Sequence, residues 1–516
     1  MPAERRGTTR RPRLGRRLAA AAVAAVAIGS AGAAPASATG PTLPLGSHGR
    51  WITDAEGRVF VTHGQNRVDK RPPYAPDGAG FDEADAAFLA AEGYNSVRLG
   101  VIWTAVEPQP GRYDDAYLAR IERTVDLLHR HGIVSVLDFH QDMVNERYQG
   151  QGFPDWAAID DGGLNLHFGF PNNQFLNPAL LQAYDSFWSN RAGPGGVGLQ
   201  DRYADAWRHV AARFRAVPGV AGYDLINEPW PGSTFLRCIG PSGCVAEDAQ
   251  LHAFTQRVSR RIRTVDPRTP IWFEPYSTFN SVADTTMPPI GEPRAVLSFH
   301  AYCTAEGVTL AYDPSCEASD RTVFDRAERR SALDHVPAVL SEFGATNDLR
   351  TLDRIVRLAD ERMVGWQHWA YTGHDPTTQA SGDAQSIVLD DHRPPTGDNV
   401  VGRKLEVLSR PYPQVVAGTP RGWSYERDAR TFRAGWATAR VGGGTFPAYA
   451  RSEIAIPRRQ YPAGYGVRAL GAAVVSPPGA PVLELATCPG AGSVSVTVTR
   501  GGPSTGSCAL PAPAPA

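Results

Sequence analysis

The chain has 516 residues, of which 42% are hydrophobic and 20% are charged, a composition typical of a globular protein with two or more domains. Its formal net charge is −1, and it becomes −7 without residues 1–38, because that segment holds seven of the 52 basic residues and one of the 53 acidic ones. This acidic balance argues against a nucleic-acid partner and against simple attraction to anionic lipid.

The first 38 residues show the order of regions found in an export signal. A leader with seven arginines precedes an apolar run from Leu18 to Ile28, and Ala36-Ser37-Ala38 offers a small-residue cleavage site. The apolar run is too short to span a bilayer as a helix. We therefore expect residues 1–38 to be a signal peptide and the mature protein to be secreted, while Arg16-Arg17 leaves a twin-arginine route open.

Between about residue 57 and residue 408, short apolar runs alternate with segments of helical period. Strands that are apolar on both faces and alternate with helices indicate a parallel sheet with covered faces. Eight such units favour a (β/α)8 TIM barrel over an open doubly wound sheet, and no Gly-rich dinucleotide fingerprint follows the first strand. The predicted strands are 58–66, 96–101, 133–140, 222–229, 270–275, 295–302, 337–344 and 365–371, and the predicted helices are 115–131, 201–216, 247–265, 319–334, 347–362 and 400–408.

Polar residues gather at the carboxyl ends of these predicted strands. In a TIM barrel all those ends share one face, where barrel active sites lie. One such residue could cap a helix, but seven at the same structural position predict a functional face. The seven are Asn66, Arg98, His140, Glu228, Glu274, His300 and Glu342.

Two of these residues, Glu228 in "YDLINEPW" and Glu342 in "LSEFGAT", follow strands four and seven, which lie across a closed barrel from each other. A strand-end carboxylate may cap a helix or pair with an arginine, but a facing pair is what glycoside hydrolysis requires. A separation of about 5–5.5 Å would indicate a retaining mechanism. The acid needs a raised pKa and the nucleophile must stay ionised, and Arg98 and the Tyr302 hydroxyl could stabilise ionised Glu342.

The segment between strand three and its helix, about residues 143–200, is unusually long for a compact domain. Its many aromatic residues argue against disorder. Two interpretations stay open: a lid that packs on the barrel rim, or a wall that contacts sugars or an apolar aglycone. The aromatic residues are Tyr148, Phe153, Trp156, Phe168, Phe170, Phe175, Tyr184, Phe187 and Trp188.

After residue 418 the pattern changes to period-two alternation broken by Gly and Pro. We predict a catalytic barrel domain over residues 39–418, a small β-sandwich over 419–510 and a disordered tail over 511–516. The sandwich could contact lipid or glycan, or it could be a structural appendage of the barrel.

The six cysteines fall into three couples that are close in sequence. Fifteen pairings are possible, and the local ones close short loops at low entropic cost, so we expect three disulfides. Spacing of the CxxC type is absent, which argues against a zinc site, and we expect neither a metal nor a cofactor. The couples are Cys238 with Cys244, Cys303 with Cys316, and Cys488 with Cys508.

The chain resembles the retaining β-glycosidases of glycoside hydrolase family 5. Asn227-Glu228-Pro229, the "HAY" at 300–302 and Glu342 in "SEFG" match that family's motifs in order and spacing, together with Arg98 and Trp369. The segments 64–76 and 138–157 resemble the endoglycoceramidases and their glycosylceramidase relatives within the family.

The resemblance implies a role for each matched residue. Glu228 would be the acid/base and Glu342 the nucleophile, while Asn227 would bind the 2-hydroxyl of the reacting sugar. His140 could instead cap a helix, and Asp142 could instead be a loop cap or an ion-pair partner. The remaining implied residues are Lys70, Arg98, His140, Asp142 and Trp369, which would surround the same sugar, and His300 and Tyr302, which would orient Glu342 and the sugar.

The resemblance implies an enzyme that hydrolyses the bond between glycan and ceramide, with a glycolipid substrate presented in membranes or micelles, and the signal peptide predicts that this enzyme is secreted. We also expect a monomer without a nucleic-acid partner. Three alternatives remain: an exo-acting glucosylceramidase or sterol-glucosidase, a polysaccharide endo-β-glycanase, and a non-enzymatic carbohydrate- or lipid-binding protein. The last would normally lack one of the two carboxylates, and this chain has both.

Overall fold

The computed structural model describes residues 40–239, 244–281, 283–309, 311–373 and 382–510. The predicted signal peptide, over residues 1–38, and the predicted tail, over 511–516, lie outside these ranges. Within the described ranges, no helix combines the length and the apolar character needed to cross a membrane.

Eight parallel strands close into a barrel, which confirms the predicted fold class. Closure occurs where His63 of the first strand pairs with Trp366 of the last. The strands read as apolar runs because they are buried by side chains inside the barrel and by helices outside it. They are β1 His63–Arg67, β2 Ser96–Val101, β3 Val134–Phe139, β4 Val220–Asp224, β5 Ile271–Phe273, β6 Ala295–Ala301, β7 Ala338–Phe343 and β8 Gly365–His368.

Four of the helices around the barrel begin at side-chain caps, provided by Asp82, Asp114, Asn177 and Asp348. The Asp114 carboxylate accepts from the first backbone N–H groups of the helix Asp115–Arg130. In Leu349–Arg362, which Asp348 caps in the same way, apolar residues recur at helical spacing and face the core. The α-helices are Glu83–Ala91, Trp103–Val106, Asp115–Arg130, Asn173–Leu176, Pro178–Trp188, Leu199–Phe214, Val245–Arg263, Thr304–Thr309, Cys316–Asp334, Leu349–Arg362, Gly382–Gln385 and Gly402–Leu408.

The long segment after β3 is ordered and packs mainly against the barrel rim. Phe153 packs edge-on against Trp103, and Phe187 against Tyr203, with ring centroids 5.0 and 5.6 Å apart. The indole N–H of Trp188 donates to the backbone carbonyl of Trp230 at 2.7 Å. The buried aromatic residues of this segment therefore serve as core, which favours the lid interpretation for them.

The chain after the barrel forms two antiparallel sheets that pack face to face, as predicted for a β-sandwich. Three strands that precede the barrel, Gly46–His48, Trp51–Thr53 and Val59–Phe60, join one of these sheets through the pairing of Phe60 with Val415. The other strands of that sheet are Tyr412–Val416, Arg451–Ala455, Ala472–Val474 and Val482–Thr487, and the second sheet contains Thr419–Glu426, Thr431–Ala437, Tyr465–Leu470 and Ser493–Thr505.

Buried polar contacts join the sandwich to the barrel. Asp360, at the end of a barrel helix, pairs with Arg410 at 2.7 Å and accepts from the Trp423 indole N–H at 2.8 Å. Leu45, Ile52 and Phe60 pack with the apolar residues at the base of the barrel. The three predicted disulfides are confirmed: Cys238–Cys244, Cys303–Cys316 and Cys488–Cys508.

Candidate active site

The two glutamates meet at the mouth of the barrel. A carboxylate oxygen of Glu228, one of Glu342 and a ring nitrogen of His300 all lie within 4.8 Å of one another. The Glu228 side chain is 17% exposed and that of Glu342 is 9% exposed, so both are largely buried but remain open to the mouth of the barrel. The short separation is that of a retaining pair, because an inverting pair must leave room for a water between the carboxylates.

The backbone around Glu228 is held in an uncommon conformation. Its φ is +40°, in the left-handed region that residues with a side chain rarely adopt. Its N–H donates to Glu274 Oε2 at 2.9 Å, and the Gln141 amide donates to the carbonyls of Asn227 and Glu228 at 2.9 and 3.1 Å. These bonds fix the direction in which the Glu228 side chain leaves the strand.

One oxygen of the Glu228 carboxylate has two partners. Asn280 Nδ2 donates to Oε1 at 3.0 Å, and His300 Nδ1 lies 2.8 Å from the same atom. The other carboxylate oxygen is therefore the one that remains available to a substrate in this arrangement.

Donors also converge on Glu342. The Tyr302 hydroxyl donates to Oε1 at 2.8 Å, and Arg98 Nη1 donates to Oε2 at 3.4 Å. Burial raises the pKa of the Glu342 carboxyl, His300 and Arg98 oppose that shift, and the nearby Glu228 adds to it. A nucleophile must be ionised, and in the structure these donors favour the ionised form of Glu342 against the effect of burial.

Arg98 is the centre of the buried layer beneath the glutamates. Its guanidinium is fully buried and contacts Asn227 Oδ1 at 3.0 Å as well as four carboxylates. Burial raises the pKa of Asp224 to about 7, Arg98 opposes that shift, and the neighbouring Glu274 and Asp138 add to it. The carboxylates are Asp138 at 3.0 Å, Asp224 at 2.8 Å, Glu274 at 2.9 Å and Glu342 at 3.4 Å.

A second polar group lies beside the glutamates. Lys70 Nζ is 2.6 Å from Asp142 Oδ2 and 4.6 Å from the centre of the Trp369 ring, and His140 stacks on the same ring at 5.4 Å. Burial alone would lower the pKa of His140, but Asp138 and Asp142 raise it to about 9. The structure thus brings Lys70, His140, Asp142 and Trp369 together, and Asp142 is an ion-pair partner of Lys70.

Two family models match this chain. The model described as "Cellulase (glycosyl hydrolase family 5)" matches residues 73–375, and the "Glycoside hydrolase family 5 C-terminal domain" matches residues 410–498. The protein belongs to glycoside hydrolase family 5. The predicted family and the predicted enzyme class are therefore confirmed.

Relatives of this glycoside hydrolase are similar over almost its whole length. Endoglycoceramidase I of Rhodococcus hoagii (strain 103S) is 32% identical over 475 residues, which cover 90% of this chain and 89% of that protein. The structure of endo-glycoceramidase II from Rhodococcus sp. in complex with ganglioside GM3 is 28% identical, with a TM-score of 0.72 and coverage of 90% of this chain and 100% of that chain. The lactosyl-enzyme intermediate of that enzyme is 28% identical, with a TM-score of 0.70 and coverage of 87% and 99%.

Three residues of this glycoside hydrolase site were missed or left without a role by sequence reasoning. Glu274 was recognised as a strand-end carboxylate, but its contacts with Glu228 and Arg98 were not foreseen. Gln141 adjoins the predicted His140 and could have been included on its position alone. Asn280 lies in the short 3-10 helix Ser277–Asn280 beyond β5, where no pattern in the sequence marks it.

Proposed function

We propose that this enzyme hydrolyses the β-glycosidic bond between glycan and ceramide in glycosphingolipids, with retention of anomeric configuration. The observation that carries the retaining mechanism is the approach of Glu228 and Glu342 to within 4.8 Å of each other and of His300. The substrate class is supported by the relatives: one is an endoglycoceramidase, and another has been solved with ganglioside GM3 and as a lactosyl-enzyme intermediate.

In the first step, a Glu342 oxygen attacks the anomeric carbon and the bond to the ceramide oxygen breaks. Glu228 gives its proton to that oxygen, so ceramide leaves as a neutral alcohol and Glu228 becomes a carboxylate. The Tyr302 hydroxyl and Arg98 hold the attacking carboxylate in place through the bonds described above.

In the second step, Glu228 accepts a proton from a water that attacks the anomeric carbon. The ester bond to Glu342 breaks, the glycan leaves with its original anomeric configuration, and both glutamates return to their starting protonation states. Glu228 can serve as the base because the first step left it ionised, and the contacts of its backbone with Glu274 and Gln141 keep it in the same place for both steps.

The polar residues beside the pair are suited to bind the sugar at the reacting position. We assign Asn227 to the 2-hydroxyl, and Lys70, His140, Asp142 and Trp369 to the remaining face of the ring. Lys70 and Asp142 form a buried ion pair next to an aromatic ring, an arrangement that offers both a donor and an acceptor to sugar hydroxyls. His300 contacts Glu228, and the Tyr302 hydroxyl donates to Glu342.

The proposal is tested by product analysis on a panel of neutral glycosphingolipids and gangliosides. Release of an intact oligosaccharide and ceramide supports endo-cleavage, whereas release of one glucose would support an exo-acting glucosylceramidase. Glu342→Gln should fold normally and lose turnover, since the amide cannot form the glycosyl ester. Near-wild-type hydrolysis of aryl glycosides and glycolipids by that variant would refute the mechanism.

The membrane context is also a proposal, and it is supported by exposed apolar side chains on the loops after β3 and β4. Leu164, Phe168 and Leu176 are 64%, 44% and 56% exposed, and Leu236 is 74% exposed. The two loops are joined because Phe175 packs edge-on against Phe235, with ring centroids 5.4 Å apart. Apolar side chains at loop tips suit shallow contact with a bilayer that holds the ceramide.

Co-sedimentation with neutral phosphatidylcholine vesicles tests this surface. Leu176→Asn with Leu236→Asn should reduce both binding and hydrolysis of glycolipid in vesicles, relative to hydrolysis of a soluble aryl glycoside by the same variant. Substitution of the exposed Leu333, which lies on the helix Cys316–Asp334, is the matched control. Unchanged vesicle binding of the double variant would contradict the proposal.

We further propose that the enzyme is exported and acts as a monomer. The order of basic, apolar and small residues in 1–38 supports export, and three disulfides suit an oxidising compartment. N-terminal sequencing of the extracellular protein tests cleavage after Ala38, and light scattering of the purified enzyme tests the oligomeric state.

A further inference from the structure

Glu274 has a set of contacts that its position at the end of β5 alone does not require. Its side chain is 3% exposed. Oε1 accepts from Arg98 Nη2 at 2.9 Å and lies 3.3 Å from His300 Nε2, while Oε2 accepts from the backbone N–H of Glu228 at 2.9 Å. One oxygen therefore binds Glu228 itself, and the other contacts Arg98, which donates to Glu342, and His300, which contacts Glu228.

These contacts hold Glu228 from two sides. The bond to the Glu228 N–H is charge-assisted and stabilises the backbone at a φ of +40°. Glu274 Oε1 also makes a charge contact with His300 Nε2 at 3.3 Å, on the side of the imidazole opposite Nδ1, which lies 2.8 Å from Glu228 Oε1. One carboxylate thus constrains both the main chain and the side chain of Glu228.

We propose that Glu274 is a positioning residue for Glu228, which it aligns so that the proton of Glu228 meets the departing glycosidic oxygen. The inference rests on the proposed role of Glu228 as the acid/base. The simpler interpretation is that Glu274 only balances the charge of Arg98. Asp138 and Asp224 already do so at 3.0 and 2.8 Å, and neither forms the hydrogen bond to the Glu228 N–H that Glu274 forms.

The two interpretations differ in how activity depends on the leaving group. A misplaced acid slows departure of a basic alkoxide strongly and departure of a dinitrophenolate little, because dinitrophenolate leaves without a proton. In the second step, water needs Glu228 as base, but azide does not. Azide attacks the anomeric carbon, the ester bond to Glu342 breaks, and the product released is a glycosyl azide. Because azide needs no base, it restores turnover in a variant whose base has been lost or misplaced.

The substitution Glu274→Gln tests the proposal. Both oxygens of Glu274 face N–H groups, so the N–H₂ of glutamine must face either the Glu228 N–H or Arg98 and His300, and one of these contacts is lost. We expect kcat/KM to fall about 10²-fold for an alkyl glycoside and less than about tenfold for the 2,4-dinitrophenyl glycoside. Azide should raise kcat on the dinitrophenyl substrate. If Glu274→Gln fails to fold, Glu274→Asp replaces it in the test, because it keeps the charge near Arg98 but is shorter by one methylene. Glu274→Asp should show the same larger loss of activity on the alkyl glycoside than on the dinitrophenyl glycoside.

Asp138→Asn is the matched control, since Asp138 is as deeply buried and also pairs with Arg98, but contacts His140 and not Glu228. It should reduce activity equally for both leaving groups. Glu228→Ala serves as the reference, and if it shows no leaving-group bias, the proposed role of Glu228 itself fails. If Glu228→Ala shows the bias and both Glu274 variants lose activity uniformly or not at all, only the positioning role is refuted.

Discussion

Removal of the Tyr302 hydroxyl should move the acid limb of the pH–rate profile to higher pH. In the wild type this hydroxyl donates to Glu342 Oε1 at 2.8 Å. Burial strongly raises the pKa of Tyr302, and Glu342 and Glu228 raise it further, so the phenol stays protonated across the working range. In Tyr302→Phe the ionised Glu342 loses this donor. Burial, which already raises the pKa of Glu342, is then opposed by the charges of His300, Arg98 and His140.

The size of the shift follows from the difference between two hydrogen bonds. A bond to an ionised carboxylate contributes about 1.5–3 kcal/mol and one to the protonated acid about 0.5–1.5 kcal/mol. The difference of about 1–1.5 kcal/mol corresponds to about one pKa unit. Activity requires ionised Glu342, so it is lost as pH falls through this pKa, and in the variant that loss begins about one pH unit earlier.

The assay is kcat/KM for a 2,4-dinitrophenyl glycoside measured from about pH 4 to about pH 8, because this leaving group makes the rate insensitive to the proton on Glu228. Tyr148→Phe is the matched control, since the Tyr148 hydroxyl donates to Asp160 at 2.8 Å, away from the glutamates. An acid limb that stays in place or moves to lower pH would refute the assignment of Glu342 as the ionised nucleophile.

Three predictions concern stability. Burial lowers the pKa of His63, which stacks on Tyr412 at 3.6 Å. Below about pH 6.5 the unfolded state therefore binds more protons than the folded state, and the free energy of unfolding falls by up to about 1.4 kcal/mol per pH unit. His63→Phe should remove this contribution to the pH dependence of stability, measured by urea titration at several pH values. Asp360→Ala leaves buried Arg410 without its carboxylate and should lower the free energy of unfolding by about 3–5 kcal/mol, with a surface Asp→Ala variant as control. Replacement of Cys488 and Cys508 by serine should lower it by about 3 kcal/mol, as judged by the denaturation midpoint, and an unchanged midpoint would contradict this.

Much of the barrel could be predicted because its strands are short apolar runs between segments of helical period. The pattern of the first run predicts one strand over residues 58–66, but the structure divides it into Val59–Phe60 and His63–Arg67. Periodicity reports burial and not which sheet a residue joins, and here the two parts join different sheets. The helix Glu83–Ala91 was not predicted, because its alanines give little apolar contrast, although Asp82 and Asp85 form a capping box.

The candidate site was predicted as far as motifs and strand ends could reach. Glu228 and Glu342 were found because each ends a barrel strand, and opposite strands place their ends face to face. The close pairing of Lys70 with Asp142 depends on how two loops fold over the mouth, and no local pattern contains that information. Asn280 likewise reaches Glu228 from a loop, so only the three-dimensional structure identifies it.

The three strands that precede the barrel have a consequence for how the protein folds. Phe60 finds its sheet partner Val415 about 350 residues later in the chain, so this sheet has a very high contact order and closes only after almost all of the chain is present. The same strands cover apolar residues at the base of the barrel through Leu45 and Ile52. A shortened chain that ended before Tyr412 would leave the edge of Val59–Phe60 unpaired and open to association with other chains. We therefore expect barrel and sandwich to unfold together, because the sheet that joins them is built from residues at both ends of the described chain.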